Sequence, residues 1–391
     1  MIRTSKHYFF EPNKNKQTKL NEFLTQYRNA TQYFVNYIWE NLVNESFDSP
    51  KRISTKEHKY KDLSQRALKC SATQACSIIQ GTLDLKRRRT FVLSKLEPNS
   101  KEYLKLKELI EKQKVNKPNV NYINCELNSI CCDKKDNFIQ LKSIGKIFGK
   151  IRIPFTFHKQ ANKWKRKGKL LNSFLISNNW IDLRWNIEVK PKSKGQTLGL
   201  DQGKITVVSL SDGQTTKANK DNYDLNKIQT ILARRTKGSK RFRKAQEHRK
   251  NYINWSINQL NFDKVKKVKI EEIKDLRKGK RCNRNMSHWT YTLINSKLIN
   301  LLEELGVQVT FNKSSYRSQR CSQCGFVLKS NRKNKTFCCK NCGYVDDSDI
   351  NAAKNHEADL PFLPLDLSRV GLDNVKLGFF WQPNDLFVSQ R

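Results

Sequence analysis

Three motifs between residues 321 and 355 decide the fold: Cys321-Ser322-Gln323-Cys324-Gly325, Cys339-Lys340-Asn341-Cys342-Gly343 and Asp349-Ile350-Asn351-Ala352-Ala353-Lys354-Asn355. The first two are C-x-x-C pairs followed by glycine, and fourteen residues (325–338) separate them. Such a pair can turn both sulfurs toward one ion, and the glycine lets the backbone turn there. Because four thiolates suit tetrahedral Zn²⁺ in a closed structural site, the sequence predicts a zinc ribbon that organises structure and performs no hydrolysis. Its predicted ligands are Cys321, Cys324, Cys339 and Cys342.

The other cysteines carry no comparable pattern. Cys338 competes with Cys339 for the third ligand position, but it would leave three residues instead of two before Cys342. Six more are scattered at positions 70, 76, 125, 131, 132 and 282 without metal spacing. Close cysteine pairs in a chain without an export signal favour metal binding over disulfides. The six scattered cysteines form no such pairs, so we assign them no function.

Three carboxylates lie at the ends of predicted elements. Asp201 ends a short apolar strand, Glu271 follows the strand 265–270, and Asp349 stands at the predicted N-terminus of a helix. Carboxylates that converge can hold two divalent cations about 4 Å apart, which suits phosphodiester hydrolysis, and hard oxygen ligands favour Mg²⁺. Each acid alone also has a plainer interpretation, as a turn residue, a solvated strand end or a helix N-cap. Residue types and spacing leave both interpretations open.

The order of the motifs resembles that of the TnpB family. In sequence they are Gly199–Gly203, Ile270–Ile273, Ser318–Gly325, Cys339–Gly343 and Asp349–Asn355. TnpB proteins are transposon-encoded nucleases similar to the miniature type V CRISPR effectors. The resemblance spans about residues 195 to 355 and implies a RuvC-like (RNase H-like) nuclease core with an inserted zinc ribbon. It implies Asp201, Glu271 and Asp349 as the catalytic, metal-binding triad. Glu272 stands where the family often has Asp or Asn, so the choice between the two glutamates stays open.

The resemblance also implies a programmable activity. A guide RNA would pair with target double-stranded DNA, and one RuvC-like site would cut both strands next to a short adjacent motif. Two alternatives are a compact type V CRISPR effector with the same chemistry and a guide-RNA-dependent repressor that binds DNA without cleaving it. A transposase that joins DNA ends shares the fold and the acids, but the sequence offers no separate end-recognition module.

Hydrophobic periodicity predicts a multidomain α/β protein. Apolar residues three and four apart predict helices around 20–34, 71–85, 101–114, 231–250 and 289–305. Alternating stretches at 138–141, 150–155, 173–176 and 185–189 predict strands that favour a small barrel. Together with the resemblance, this pattern predicts two domains in the first half: a β-barrel wedge domain (1–30 and 118–194) and a helical recognition domain (31–117). The second half is predicted to contain a RuvC-like nuclease domain (195–320), the zinc ribbon (321–345), the last RuvC motif (346–355) and a C-terminal tail (356–391).

The charge of the chain requires an anionic partner. Its 391 residues include 76 Lys+Arg against 36 Asp+Glu, a formal charge of +40, and self-repulsion on that scale weakens the folded state unless a polyanion screens it. Basic residues recur along the whole length, which favours nucleic acid over a membrane surface. Candidate phosphate contacts lie in the runs 86–89, 163–169 (predicted as a loop), 231–250 and 274–284, although any one run is more often a solvated face than a contact. They are Lys86, Arg87, Arg88, Lys163, Lys165, Arg166, Arg234, Arg235, Arg241 and Arg243. The candidates for base stacking are Trp164, Phe242, Tyr252 and Trp255, and core packing is an equal alternative for the last two.

The segment 356–391 differs from the rest. It has three basic and five acidic residues and is rich in Leu and Phe, which is unlike a nucleic-acid-binding arm. It can fold back on the nuclease core, which we favour, mimic an acidic ligand or bind a partner. No apolar run is long enough to span a bilayer and no signal peptide is evident, so we expect a cytoplasmic, nucleoid-associated protein.

Overall fold

A computed structural model divides the chain into two compact units, Met1–Glu188 and Val189–Arg391. The boundary lies close to the predicted one between residues 194 and 195. The structure describes residues 1–10, 12–43, 48–55, 60, 62–115, 118, 123–125, 138–273, 286–361 and 378–383. The basic run 274–284 and most of the tail, 362–377 and 384–391, lie outside the described residues.

Helices make up the first half of the first unit: α1 (Lys14–Asn41), α2 (Gln65–Leu93) and α3 (Lys101–Glu111). The apolar side chains of α1 that define the predicted spacing, among them Leu20 and Phe23, are fully buried. The side chains of Ser64 and Ser100 cap α2 and α3 by accepting backbone N–H bonds from Ala67 and Tyr103. The predicted helices of this region are therefore confirmed.

The β-strands of the first unit form an open sheet and a hairpin. They are β1 (Ile2–Tyr8), β2 (Ile123–Cys125), β3 (Phe138–Leu141), β4 (Ile151–Pro154), β5 (Gly168–Ile176) and β6 (Trp180–Ile187). The antiparallel sheet has the order β1-β6-β5-β2, and β3 pairs with β4. A single bridge between Phe9 and Phe155 connects the end of β1 to the hairpin. Within the part of the chain that the structure describes, these strands close no barrel.

The basic run 163–169, predicted as a loop, instead ends a helix, α4 (Lys159–Lys167). His158 caps this helix by accepting the backbone N–H of Ala161, and Ala161 and Trp164 bury one face. This apolar pair, three residues apart, is enough to dock a helix whose other positions are basic. Trp164 is only 7% exposed, so it offers no surface for base stacking.

The second unit is built on a mixed sheet with the order β10-β9-β7-β8. Its strands are β7 (Gln196–Asp201), β8 (Ser209–Leu210), β9 (Val265–Glu272) and β10 (Gln308–Lys313). Strands β7, β9 and β10 are parallel, and β8 is antiparallel to β7. The sheet residues Leu200, Val268 and Ile270 belong to one hydrophobic core with the helices of this unit.

The helices of the second unit are α5 (Leu225–Ala233), α6 (Lys240–Ile257), α7 (Tyr291–Glu304) and α8 (Ser348–Glu357). The single helix predicted around 231–250 is thus two, because the chain turns at 234–239 and Ser239 caps α6. Gly306 follows α7 with φ +71°, the left-handed conformation in which a glycine commonly ends a helix. None of the helices described in either unit is long and apolar enough to cross a membrane.

Helix α8 packs directly on the backbone of β7. A Cβ atom at Gly199 would lie 1.9 Å from the Ala353 carbonyl oxygen and 2.3 Å from the Glu357 nitrogen, so only glycine permits this approach. The contact brings α8 beside the end of β7, where Asp201 lies.

The remaining strands form the ribbon and its contact with the tail. Strands β12 (Arg332–Lys333), β13 (Thr336–Cys338) and β14 (Val345–Asp347) form one small antiparallel sheet. Strand β11 (Phe326–Val327) pairs with β15 (Phe379–Phe380). The described residues around β15 therefore fold back on the second unit, where they pair with a strand of the ribbon.

Candidate active site and metal centre

The four predicted zinc ligands lie together in the ribbon. The Sγ atoms of Cys321 and Cys342 are 3.8 Å apart, and those of Cys324 and Cys339 are 3.6 Å apart. Four sulfurs at the usual zinc–sulfur distance of about 2.3 Å on a tetrahedron would be about 3.8 Å from one another. The cluster therefore fits a tetrahedral ion, and Cys338, on β13, is not a member of it.

The backbone around the cluster also matches the predicted turns. Gly325 and Gly343 have φ values of +77° and +73°, which favour glycine over other residues. The backbone N–H of Cys342 points at the sulfur of Cys339, 3.5 Å away. Burial raises the pKa of the Cys321 thiol, so a bound cation is what would keep this buried sulfur as a thiolate.

The first two acids of the predicted triad lie side by side. Leu200 pairs with Ile270 in the parallel strands β7 and β9, so the residues that follow, Asp201 and Glu271, are neighbours at the carboxyl edge of the sheet. Ligand atoms of Asp201, Glu271 and His356 all lie within 4.8 Å of one another. Glu272 is the next residue on the strand and therefore points to the opposite face. The structure thus places Glu271, rather than Glu272, beside Asp201.

The third acid, Asp349, approaches from the first turn of α8. It is 4% exposed, and its Oδ2 would be 3.6 Å from a Cβ at Gly203, just after Asp201. Its carboxylate accepts from Arg332 at 2.9 Å and forms a second ion pair with Lys335. The helix N-cap is Asp347, whose side chain accepts the Asp349 N–H at 2.8 Å. The plainer interpretation of Asp349 as an N-cap is therefore wrong.

Burial and mutual repulsion raise the pKa values of the acids in this cluster. Burial, then the charges of Glu271 and Asp349, raise the pKa of Asp201 well above its usual value, against the opposing effect of Arg332 and Lys335. Burial also raises the pKa of Glu271 to about 7, although Arg332 and the Gln202 N–H act in the opposite direction. Added positive charge relieves such repulsion, so these hard oxygen ligands fit a divalent cation.

We expect Glu271→Gln to flatten the pH dependence of metal-free stability. A carboxyl whose folded pKa is raised binds its proton more tightly in the folded state, so stability falls as pH rises through about 7. Between pH 6 and pH 8 the wild type should lose about 1 kcal/mol that Glu271→Gln keeps. Urea denaturation with chelator for the active-site metal measures the difference. If the free energy of unfolding changes with pH by the same amount in both proteins, Glu271 does not have a raised pKa in the folded state.

Two asparagines, which the sequence did not single out, tie the ribbon to α8. The Asn355 side chain donates to the Arg317, Arg320 and Asn351 carbonyls at 3.1, 2.7 and 2.9 Å. It also accepts from the Arg320 guanidinium at 2.6 Å. The Asn351 side chain accepts the Ser322 N–H at 3.0 Å. The first cysteine pair is thus hydrogen-bonded to the helix that carries Asp349, and two asparagines at i and i+4 of a predicted helix are the sequence signal that could have revealed it.

The predicted phosphate contacts lie in different environments. Lys165 and Arg166 are exposed on α4, and Arg234, Arg235, Arg241 and Arg243 are exposed at the end of α5 and the start of α6. Lys86, Arg87 and Arg88 lie on α2, where Arg87 pairs with Asp48 at 3.3 Å and Asp84 at 3.1 Å; Lys163 is half-buried. Phe242 is 6% exposed and, like Trp164, offers no stacking surface.

Comparisons with known proteins bear on the region around Asp349. Residues 291–356 match the family described as Cas12f1-like, TNB domain. The matched region contains α7, the ribbon and nearly all of α8, including Asp349. The predicted resemblance to the TnpB family and the miniature type V effectors is confirmed.

Two curated relatives are similar to part of this chain. The chain is 40% identical over 74 residues to the CRISPR-associated endodeoxyribonuclease Cas12f1 of Sulfoacidibacillus thermotolerans, a match that covers 19% of this chain and 18% of that protein. It is 33% identical over 95 residues to the TnpB-like protein aq_aa05 of Aquifex aeolicus (strain VF5), which covers 22% of this chain and 31% of that protein. The matches therefore span less than a third of either relative.

A solved structure with a similar fold aligns with most of the chain. The mini-RNA-guided endonuclease CRISPR-Cas_phi3 aligns over 93% of both chains with a TM-score of 0.52 and 11% sequence identity. At this identity the likeness concerns the fold alone, a multidomain α/β architecture.

Proposed function

We propose that this protein is an RNA-guided DNA endonuclease that uses a single RuvC-like active site. The observation that carries the proposal is that Asp201 and Glu271 lie side by side at the carboxyl edge of parallel strands. The third acid, Asp349, lies in the region that matches the Cas12f1-like TNB family. Its partners would be a guide RNA and target double-stranded DNA, which it would cut next to a short adjacent motif. The names of its relatives, an endodeoxyribonuclease and a TnpB-like protein, support this reading.

The two units would divide the work. The second unit would be the RuvC-like (RNase H-like) nuclease domain with its ribbon, and the first would hold the RNA–DNA heteroduplex. Within the first unit, α2, α3 and the end of α1 lie in the proposed recognition domain (31–117). The open sheet with its hairpin lies in the segments proposed as the wedge domain (1–30 and 118–194), which also include the first part of α1. Base pairing would read the target sequence, so the protein needs mainly phosphate contacts, which its charge of +40 supports.

The carboxylates would hold two Mg²⁺ ions. When bound, these ions would supply an activated water and stabilise the leaving 3′ oxygen of the phosphodiester. Asp201 and Glu271 would hold and orient the cations from the sheet, and Asp349 would complete the set from α8. Arg332 and Lys335, which now pair with Asp349, are half-exposed cations positioned to contact the phosphate that enters the site.

The Cys321, Cys324, Cys339 and Cys342 cluster would hold one structural Zn²⁺. A site with four sulfur ligands has no open coordination position, so the zinc would act by ordering the ribbon. The ribbon supplies Arg332 and Lys335 and is bonded to α8 through Asn351 and Asn355. Zinc binding would thereby fix the position of Asp349.

The direct test is to copurify the protein with its RNA, sequence that RNA and offer matching duplex DNA with Mg²⁺. We expect cleavage of the matching duplex only, beside one short motif, with both strands cut. Cleavage that ignores the RNA sequence would contradict guided activity. Tight, RNA-dependent binding without cleavage under these conditions would instead support the repressor. Whether the RNA derives from a transposon end or from a CRISPR array distinguishes the TnpB-like role from the compact type V effector.

We expect the double substitution Arg241→Gln, Arg243→Gln to weaken RNA binding. Both side chains are exposed at the start of α6, and each lost phosphate contact should lower the slope of log K against log salt concentration by about 1. Filter binding between 50 and 300 mM NaCl measures that slope. Arg87→Gln is the matched control, because Asp48 and Asp84 already neutralise this guanidinium. An unchanged slope in the double variant would remove α6 from the RNA interface.

A further inference from the structure

His356 is a buried histidine that neither the triad nor the zinc ribbon uses. It lies near the end of α8, two helical turns beyond Asp349 and on the same face of the helix. The residue is 1% exposed. Its Nδ1 atom is buried without a hydrogen-bond partner.

The ring of His356 is directed at the carboxylates. Its Nε2 atom lies 4.0 Å from Oδ1 of Asp201, too far for a hydrogen bond. Two donors that share one ion at about 2.1 Å each can be up to about 4.2 Å apart. The separation therefore fits two ligands of one cation better than a direct contact. Glu271 supplies a third ligand atom within 4.8 Å of both.

An imidazole can serve as a metal ligand through one ring nitrogen, because its neutral form has one nitrogen with a free lone pair. The backbone of His356 is fixed as well, since its carbonyl accepts from Asn312 on β10 at 2.8 Å.

We propose that His356 is a direct ligand of the cation held by Asp201 and Glu271, so that this ion has one nitrogen and two carboxylate ligands. The inference rests on the proposed function only in placing a divalent cation at these carboxylates. Both Mg²⁺ and Mn²⁺ are suited to oxygen ligands, but Mn²⁺ accepts an imidazole nitrogen more readily than Mg²⁺ does. His356 accordingly contributes more to the binding of Mn²⁺ than to that of Mg²⁺.

The test uses MnCl₂ with the full-length, zinc-loaded chain. Electron paramagnetic resonance gives the Mn²⁺ dissociation constant, MgCl₂ competition gives that of Mg²⁺, and spin-echo modulation detects ¹⁴N bound to Mn²⁺. We expect His356→Leu to weaken Mn²⁺ binding about tenfold or more, to change Mg²⁺ binding much less and to remove the ¹⁴N modulation. His248→Leu, on α6 outside the carboxylate cluster, should change none of these.

Several outcomes would overturn the proposal. Equal Mn²⁺ affinity in wild type and His356→Leu would do so, and so would equal losses for both ions, which would indicate a merely structural role. If His356→Leu does not fold, the wild type decides alone, because bound Mn²⁺ without ¹⁴N modulation excludes a histidine ligand. None of these readouts requires DNA cleavage. A chain that binds Mn²⁺ through nitrogen but cuts no DNA would refute the proposed function and leave this inference standing.

Discussion

Asp201→Ala should reduce cleavage of matching duplex DNA by about 1,000-fold or more while RNA and DNA binding persist. The carboxylate lies at the centre of the cluster, within reach of Glu271 and His356 and influenced by Asp349. Its loss therefore removes the group that every proposed metal position shares, and losses of this size follow when transition-state charge is no longer stabilised. Single-turnover cleavage with the copurified RNA measures the rate, and a mobility shift measures binding.

Substitution of Asp201 should also raise the thermal stability of the metal-free protein while it abolishes cleavage. Because burial and two neighbouring acids raise the pKa of Asp201, keeping this carboxylate ionised costs folding free energy in the metal-free protein. Asp201→Asn should therefore unfold at a higher temperature than the wild type in chelator while it fails to cleave. Asp212→Asn is the matched control, since Asp212 is an exposed turn residue that accepts the Gln214 N–H. Cleavage that survives Asp201→Ala would overturn the site assignment.

The sequence predicted those features that depend on residues close together in the chain. The spacing of the cysteine pairs fixes which four sulfurs meet, because each knuckle is built from residues close in sequence. Strand ends at Asp201 and Glu271 follow from short apolar runs, and parallel pairing then brings them together. The helix with Trp164 shows the limit of this approach, since a run dominated by Lys and Arg concealed the apolar pair that docks it.

What the sequence could not show depends on contacts between distant segments. Arg332 and Lys335 meet Asp349 only because the ribbon folds over α8. His356 meets Asp201 only because Gly199 lets the helix lie on the strand. Periodicity assigns a residue to a face of its own element but does not give the partner of that face. The choice of Glu271 over Glu272 likewise needed the sheet, because adjacent strand residues differ only in which side they face.

The described part of the tail makes the ribbon a composite of two segments. The Trp381 N–H donates to the Gly325 carbonyl at 3.0 Å, and the Gln382 side chain donates to the Cys324 carbonyl at 2.7 Å. Arg320 donates to the Trp381 carbonyl at 2.7 Å. These bonds converge on the first cysteine pair. Metal binding in the ribbon and docking of the tail should therefore stabilise each other.

Cys321→Ser should remove the bound zinc and, with it, most of the nuclease activity. Structural zinc sites contribute about 10–16 kcal/mol to the folding of small domains, and Cys321 is fully buried in the cluster. Without the ion, the ribbon no longer holds the loop that Asn351 and Asn355 bond to α8, so Asp349 loses its fixed position. We expect zinc content to fall from one ion per chain to nearly none and cleavage to fall about 100-fold.

Cys338→Ser is the control that makes this result specific. Cys338 is adjacent to a proposed ligand and half-buried on β13, yet it is not part of the cluster. The variant should keep its zinc and its activity, because the ion already has four sulfur ligands. Metal analysis by mass spectrometry gives the zinc content, and limited proteolysis reports whether residues 315–345 remain protected. If Cys338→Ser also loses zinc, the third ligand has been misassigned; if Cys321→Ser loses zinc but cleaves normally, the ribbon does not position Asp349.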